Sequence, residues 1–392
     1  MSNTLKFGNG EWYGKEGTIL AYNDENNNYK PLPFTFERDS VATRVNKQGL
    51  IETVGADQPR IDYLNDSNGA LLLEPSRTNL IPYSEDFSQP TWNKTGLTVS
   101  SNQILSPSGS LDADEVNITT ANAHYLFDTI SVSESTNYTF TFYVKKGTAT
   151  DVSYSILNAT NFTNIVNTTS YFNEISDTDW TRISVEFTTP SGCTSIRTYP
   201  LRDGSSTGTV YLWGAQLESG SYATSYIPTQ GGSAVTRLAD VCSQTVPDGV
   251  INSSEGVLYG EVIFSDNELN NKSITLHNGT TAERVIFSSS PNSLNQVRCQ
   301  VVSGSISRGE IFVIVDDITS INKFAVMFEN SLLTLYINGI KYTTPLTQLP
   351  SNLNSIQNGN FNNTSTFYGN IKDLRVYNTA LSDQELAALT QV

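Results

Sequence analysis

The sequence predicts an all-β protein: a turn-rich N-terminal segment followed by two antiparallel β-sandwich (jelly-roll) domains, with one short C-terminal helix. Three observations carry that prediction. Tyr (19) and Phe (17) are plentiful, Met (2) is nearly absent, and Ser, Thr and Asn crowd most segments, which favours pleated strands and turns over helices. Apolar residues recur in short runs with a period of two, the side-chain repeat of a strand. Clusters of Gly, Asn, Asp and Pro break those runs at short intervals. A chain of 392 residues with 38% hydrophobic content has room for two or three ordinary cores.

Residues 1–80 form the turn-rich segment, with reversals at Asn23–Pro33, Asn46–Gly49 and Asn65–Gly69 between short strand-like pieces such as Gly49–Val54 and Ala70–Glu74. This segment has too little apolar material for a good core of its own, so it is expected to pack against another body. Regular alternation begins in residues 81–230. In "YTFTFYV" Tyr138, Phe140, Phe142 and Val144 share one face; in "ISVEF" Ile183, Val185 and Phe187 point inward; in "VYLWGAQLE" Tyr211, Trp213, Ala215 and Leu217 are expected on one side. Several such strands make a sandwich or jelly roll. The small, Gly-rich stretch Pro228–Asp240 reads as a linker.

Residues 241–392 repeat the all-β pattern in "VLYGEVIF", "KFAVMFE" and "LLTLYINGIKYTT". Asn338-Gly339 is a hairpin signal, because both positions tolerate positive φ. Ser382 followed three residues later by Glu385 is a capping box, which places a helix over Ser382–Thr390.

Carboxylates outnumber Lys and Arg by 39 to 23, giving a net charge of −16 that repels phosphate backbones and anionic lipid. No nucleic-acid partner and no membrane insertion are expected. The N-terminal stretch lacks the pattern of an export signal, so the chain is expected to be made soluble and not exported by the usual route. Cys193, Cys242 and Cys299 are isolated and odd in number, and read as buried thiols rather than a disulfide or metal framework.

Catalytic patterns are sparse. The only histidines, His124 and His277, fall in different predicted domains and in no nucleophile context, so no enzyme is expected. Carboxylate pairs of the kind a glycosidase needs occur at Asp112 and Asp114, on one side of a strand, and at Asp316 and Asp317; solvated strand-edge acids account for both. No cofactor is expected. The oxygens of Asn23, Asp24, Glu25, Asn26 and Asn27 offer a structural calcium site, but the stretch lacks the Gly and the distal Glu of a calcium loop.

Aromatic residues among polar ones point to carbohydrate, since sugar rings lay apolar C–H faces on aromatic rings while their hydroxyls meet amides, carboxylates and guanidinium groups. Trp180 and Trp213 lie in strand patterns and read as core. Candidate glycan contacts are Trp92, Tyr125, Arg197, Tyr199, Arg202 and Asp203, with Asn360 and Phe361 in the Asn-rich stretch near the end.

"FERDSVATRVNKQGLIETVGADQPRIDY" followed by "GALLLEPSRTNLIPYSEDFSQPTW" resembles a segment recurring in virion proteins of tailed bacteriophages. The matching positions are Phe36, Arg38, Ser40, Ala42 and Thr43; Gly49 to Ile51; Pro59, Arg60, Asp62 and Tyr63; Leu71 to Glu74; and Arg77 to Leu80. "DTDWTRISVEFTTPSG" and "VYLWGAQLESGSYATSYIPT" resemble carbohydrate-binding jelly-roll modules of phage fibres. "LTLYINGIKY" and "FYGNIKDLRVYNTALSDQEL" are similar to the end of a concanavalin A or laminin G type sandwich, at Gly369, Ile371, Leu374, Val376, Tyr377 and Leu381. These resemblances imply a tail or head fibre or receptor-binding component of a virion, assembled in the host cytoplasm. Its N-terminal adaptor would meet other virion proteins, its lectin-like domains host surface glycans, and the fibre would be a homo-oligomer, commonly a trimer. A ligand-free decoration protein of capsid or tail, or a polysaccharide depolymerase, are the alternatives.

Overall fold

The computed structural model of the chain describes residues 5–8, 12, 14–15, 18–23, 28–246, 248–362 and 365–392. Strands dominate, and the one helix among the described residues, Asp383–Thr390, is too short to cross a membrane. Two compact units result: Ala42–Thr53 with Ser76–Arg237, and Met1–Val41 with Val54–Pro75 and Leu238–Val392. The turn-rich N-terminal segment is thus divided between them.

The first unit is a jelly roll of two five-stranded sheets. The front sheet orders Asn93–Thr95, Tyr125–Ser131, Ser195–Arg202, Ser153–Asn158 and Thr163–Ser170; the back sheet orders Leu97–Leu105, Leu111–Ile118, Gly208–Ser219, Asn137–Lys146 and Thr181–Thr188. Alternation fills the space between them: Tyr138, Phe140, Phe142, Val144, Ile183, Val185 and Phe187 from the back sheet meet Leu126, Ile130, Ile156, Ile196 and Leu201 from the front. Gly208–Ser219 departs from the predicted alternation. Its partners shift between Thr141↔Gln216 and Tyr143↔Trp213, an extra residue on this strand where Gly214 takes φ +63°. The bulge reverses the phase, so Val210, Leu212, Ala215 and Leu217 face the core while Trp213 turns to the opposite face with Ala113 and Tyr226. Tyr211 and Trp213 therefore do not share a side with Ala215 and Leu217.

That opposite face is itself covered. Thr139 and Thr141 are fully buried, and the Thr139 hydroxyl donates to the Gly220 carbonyl at 2.9 Å. Residues 42–53 lie there too: Ile51 packs with Trp213 and Tyr226, its N–H donates to the Pro107 carbonyl at 2.9 Å, and the Thr43 hydroxyl donates to the Tyr226 carbonyl. Asn79, in the strand Arg77–Asn79, donates through its amide to the Ala215 and Ile227 carbonyls at 3.1 and 2.9 Å.

Among the described residues the second unit is one antiparallel sheet of seventeen strands folded over a main core, with a smaller apolar cluster under the helix. Val257–Tyr377 pairing joins Gly256–Phe264 to Gly369–Tyr377, and Asn322–Glu329 flanks the former. Glu261↔Asp373 followed by Val262↔Ile371 marks a bulge, which is why Ile371 and Leu374, an odd number of residues apart, both reach the core. Gly369 is required: a Cβ there would sit 2.0 Å from the Ile263 carbonyl oxygen. Asn338 and Gly339 take φ +50° and +81° in the predicted hairpin. Ser382 caps the helix through the predicted box with Glu385, and Leu386 packs on Tyr259, Met327 and Tyr336.

The N-terminal motif forms a buried ionic network within this unit. Asp240 accepts from Arg38 Nη1 at 3.2 Å and from Arg60 Nη2, and Arg60 Nη1 reaches Glu74 at 2.6 Å; both arginines and Asp240 have no exposed side-chain surface. Arg38 also donates to the carbonyls of Ser40, Gln58 and Gly55. Two cations and two carboxylates cancel, and each guanidinium ties separate chain segments.

Candidate functional site

The outer face of the jelly roll's front sheet gathers most of the predicted contacts. On Ser195–Arg202, Ile196, Thr198 and Leu201 are buried, while Arg197, Tyr199 and Arg202 fall on the other face; there Tyr199, covered by Arg202 and Phe127, is only 4% exposed and offers no open ring face to a ligand, contrary to the sequence reading. Pairing then sets Arg202 opposite Tyr125, Tyr199 opposite Ser155, and Arg197 between Thr129 and Leu157. The rings and guanidinium groups form a row. Arg202 lies 4.9 Å over the Tyr199 ring, Tyr199 lies 4.8 Å from Phe127, and Arg197 lies 4.7 Å over Phe127 and 5.3 Å from the Phe162 ring.

The two arginines differ in their partners. Arg202 Nη1 donates to Ser155 Oγ and Asn164 Oδ1, both at 3.0 Å, and its Nε lies 3.5 Å from Asp203. The Arg197 side chain makes no hydrogen bond or ion pair among the described residues, and its Nε is buried without a partner. A cation held only between two rings keeps its N–H groups available for a ligand's oxygens. Phe162, 66% exposed, takes φ +60° in the turn between Ser153–Asn158 and Thr163–Ser170, a conformation unusual for a bulky residue. Its exposed ring suits a sugar face, with half-buried Phe127 across Arg197 and Tyr125 at the other end of the row, beside Tyr199. His124 fixes the neighbouring loop, as its Nδ1 meets the Thr120 carbonyl at 2.9 Å and its Nε2 accepts from Gly204 N at 3.3 Å.

Other predicted contacts lie elsewhere. Trp92 is 1% exposed, its ring against Phe87 and its Nε1–H donating to the Tyr83 carbonyl at 2.9 Å, so it belongs to the sandwich core and presents no face to a ligand. Asn360 and Phe361 belong to the second unit, where Asn360 accepts from Arg284 and Phe361 lies 5.8 Å from His277. Phe127 and Phe162 escaped the sequence reading. Alternation could have flagged Phe127, which is two residues from Tyr125 in the same strand.

Asp112 and Asp114 do not share a cleft. Both Asp114 oxygens accept backbone N–H groups, from Phe87 at 2.8 Å and Asn102 at 3.0 Å, and burial lifts its carboxyl to about 6. Asp112 instead lines a cavity of about 600 Å³ with Glu52, Glu85, Trp213 and Tyr226. Burial raises the Glu85 carboxyl above its ordinary range, against the hydrogen bonds from Tyr226 and Gln230, and the charge of Asp112 adds to the rise. No group of three His, Cys, Asp or Glu side chains among the described residues is placed to hold a metal. Asp24 to Asn27, the oxygen-rich turn, lie outside the described residues. All three cysteines are buried and free.

Residues 262–387 match the concanavalin A-like lectin/glucanases superfamily. Comparison with the curated proteins gave no match. Among solved structures, the chain is similar to the Ruminococcus gnavus IT-sialidase CBM40 bound to alpha2,3 sialyllactose, at 17% identity and TM-score 0.31, over 36% of this chain and 84% of that one. It is similar to the CBM22-1 xylan-binding domain from Paenibacillus barcinonensis Xyn10C, at 12% identity and TM-score 0.28, over 37% and 94%. A third is the enzymatically active domain of bacteriophage CBA120 tailspike protein 4, at 14% identity and TM-score 0.27, over 36% and 21%.

Proposed function

We propose that this chain is a glycan-binding component of a bacteriophage virion, a fibre or receptor-binding protein whose jelly roll engages host surface sugars through the outer face of its front sheet. The observation that carries the reading is Arg197, an arginine held between Phe127 and Phe162 with no protein partner among the described residues. The superfamily match of residues 262–387 supports a lectin-like second unit. The virion assignment rests on the N-terminal motif of Arg38, Arg60 and Glu74.

A shallow face of this kind binds weakly per copy, and many copies on one particle would raise avidity by about 10²–10⁴. The test is a glycan array probed with multivalently displayed protein. Arg197→Gln and Phe162→Ala are each expected to weaken binding about tenfold or more, about 1.4 kcal/mol, with unchanged thermal unfolding. Absence of any bound glycan, or full binding by both variants, refutes the reading.

One observation favours a hydrolase instead: the raised Glu85 carboxyl beside Asp112 in a cavity that also holds Trp213. That reading requires release of reducing ends from host polysaccharide, abolished by Glu85→Gln.

A further inference from the structure

The second unit carries a polar pocket on the outer face of strands Arg284–Ser289 and Gln296–Ser303. Val285, Phe287, Val297, Cys299 and Val301 face the core, so the alternate residues Arg284, Ile286, Ser288, Arg298 and Gln300 face away from it. Register sets Ser288 opposite Arg298 and Ile286 opposite Gln300. Asn271, Ser273, Asn360 and Ser365 complete a pocket of about 190 Å³.

Its charge is anomalous for a chain of net charge −16. Arg298 is paired with Glu310 at 2.5 Å. Arg284 is half-buried, has no carboxylate partner among the described residues, and donates only to the amide oxygen of Asn360, at 3.2 Å, while its Nε is buried and unpaired. Burial, then the charge of Arg298, lowers the Arg284 pKa, so both features disfavour its cation as it stands. An anion would compensate both. Beside it the buried Oδ1 of Asn271 has no partner among the described residues and the Asn360 amide offers its N–H groups, both suited to sugar hydroxyls, while the Ser273 hydroxyl is held by the Ser365 carbonyl and the Gln300 amide by Arg298 and Ser307; Ile286 gives a small apolar floor, and exposed Phe361 follows Asn360.

We propose that this pocket binds the carboxylate of an acidic sugar, with Arg284 as the anion contact and room for a single ring. The site lies in a different unit from Arg197, so its test and that of the jelly-roll face fail independently.

The experiment is calorimetric titration of the full chain with methyl glucuronoside, methyl glucoside and acetate. The glucuronoside is expected to bind about tenfold or more tightly than either of the others, and to weaken with added salt as an ion contact should. Arg284→Gln should remove that preference and Asn360→Ala should weaken it several-fold, while Arg197→Gln leaves it intact. Should Arg284→Gln fail to fold, Asn360→Ala carries the comparison. Equal binding of glucuronoside and glucoside, no binding of either up to about 10 mM, or an unaltered preference in both pocket variants overturns the proposal. Acetate binding as tightly as the glucuronoside overturns the assignment of a sugar.

Discussion

Asp128 shows how one buried group sets a pH dependence. It is 4% exposed; its Oδ1 accepts from Thr129 N at 2.7 Å, and its Oδ2 has no partner. Burial lifts the carboxyl to about 6, despite the Thr129 hydrogen bond, against about 3.9 in an unfolded chain. Between about pH 4 and 6 the folded protein therefore holds a proton that the unfolded chain has released, so stability from this group falls as pH rises through that window. Asn keeps the acceptor that Thr129 needs and carries no charge. Asp128→Asn is expected to raise the unfolding free energy at pH 7 by about 1–3 kcal/mol and to change little at pH 4, read by urea titration at both values. An equal effect at both would show that the carboxyl is not held protonated. Asp114, lifted to the same value, is no such candidate, because an amide can accept only one of its two backbone N–H bonds. At this scale the sequence displayed the cluster Tyr125, Arg197, Tyr199 and Arg202 as polar-aromatic runs. It hid Phe162, which reaches Arg197 only through a left-handed turn, and it made Trp92 look exposed because loop composition says nothing of what a loop covers.

Strands and the helix were legible wherever a local rule sufficed: alternation in Asn137–Lys146 and Thr181–Thr188, positive φ at Asn338-Gly339, the cap at Ser382. Bulges were not, because a bulge is a property of pairing; the turn of Trp213 away from the sandwich core depends on the register against Tyr143, seventy residues upstream. The ionic network has the same character. Arg38, Arg60 and Glu74 stood out as a motif, but the chemistry that unites them is supplied by Asp240, far along the chain. Burial alone would lower the Arg60 pKa, yet Asp240 and Glu74 raise it above its ordinary value, so the cation is fully engaged. Asp240→Ala would remove the carboxylate that two buried guanidinium groups share and leave the network with a net positive charge, and is expected to cost about 3–5 kcal/mol in chemical denaturation. A loss below about 1 kcal/mol would mean that the network is solvated in solution.

For the whole molecule the chief consequence is that the N-terminal segment builds the units instead of merely preceding them. Thr18–Asn23, Asn28–Glu37, Arg60–Asp62 and Ala70–Leu73 are strands of the second unit, where Phe36, Ile61, Leu71 and Leu73 enter the same core as Leu258, Val326 and Ile371. Deleting residues 1–75 removes those four core side chains, Arg38, Arg60 and Glu74, and leaves the buried carboxylate of Asp240 with neither cation. The jelly roll loses only residues 42–53, which lie outside its main core. Full burial of a Phe, Ile or Leu is worth about 1.5–3 kcal/mol each, so four of them together with an orphaned charge match the whole stability of a typical domain, about 5–15 kcal/mol. The fragment 76–392 is therefore expected to keep a folded jelly roll and an unfolded remainder. Trp12 goes with the deleted segment, but Trp92, Trp180 and Trp213 all belong to the jelly roll, so most of the tryptophan fluorescence should persist, with a change at Trp213 where Ile51 is lost, while far-ultraviolet dichroism loses a large share of its β signal and protease digests residues 238–392. Protease resistance of that region in the fragment would show that the second sandwich folds without its N-terminal strands.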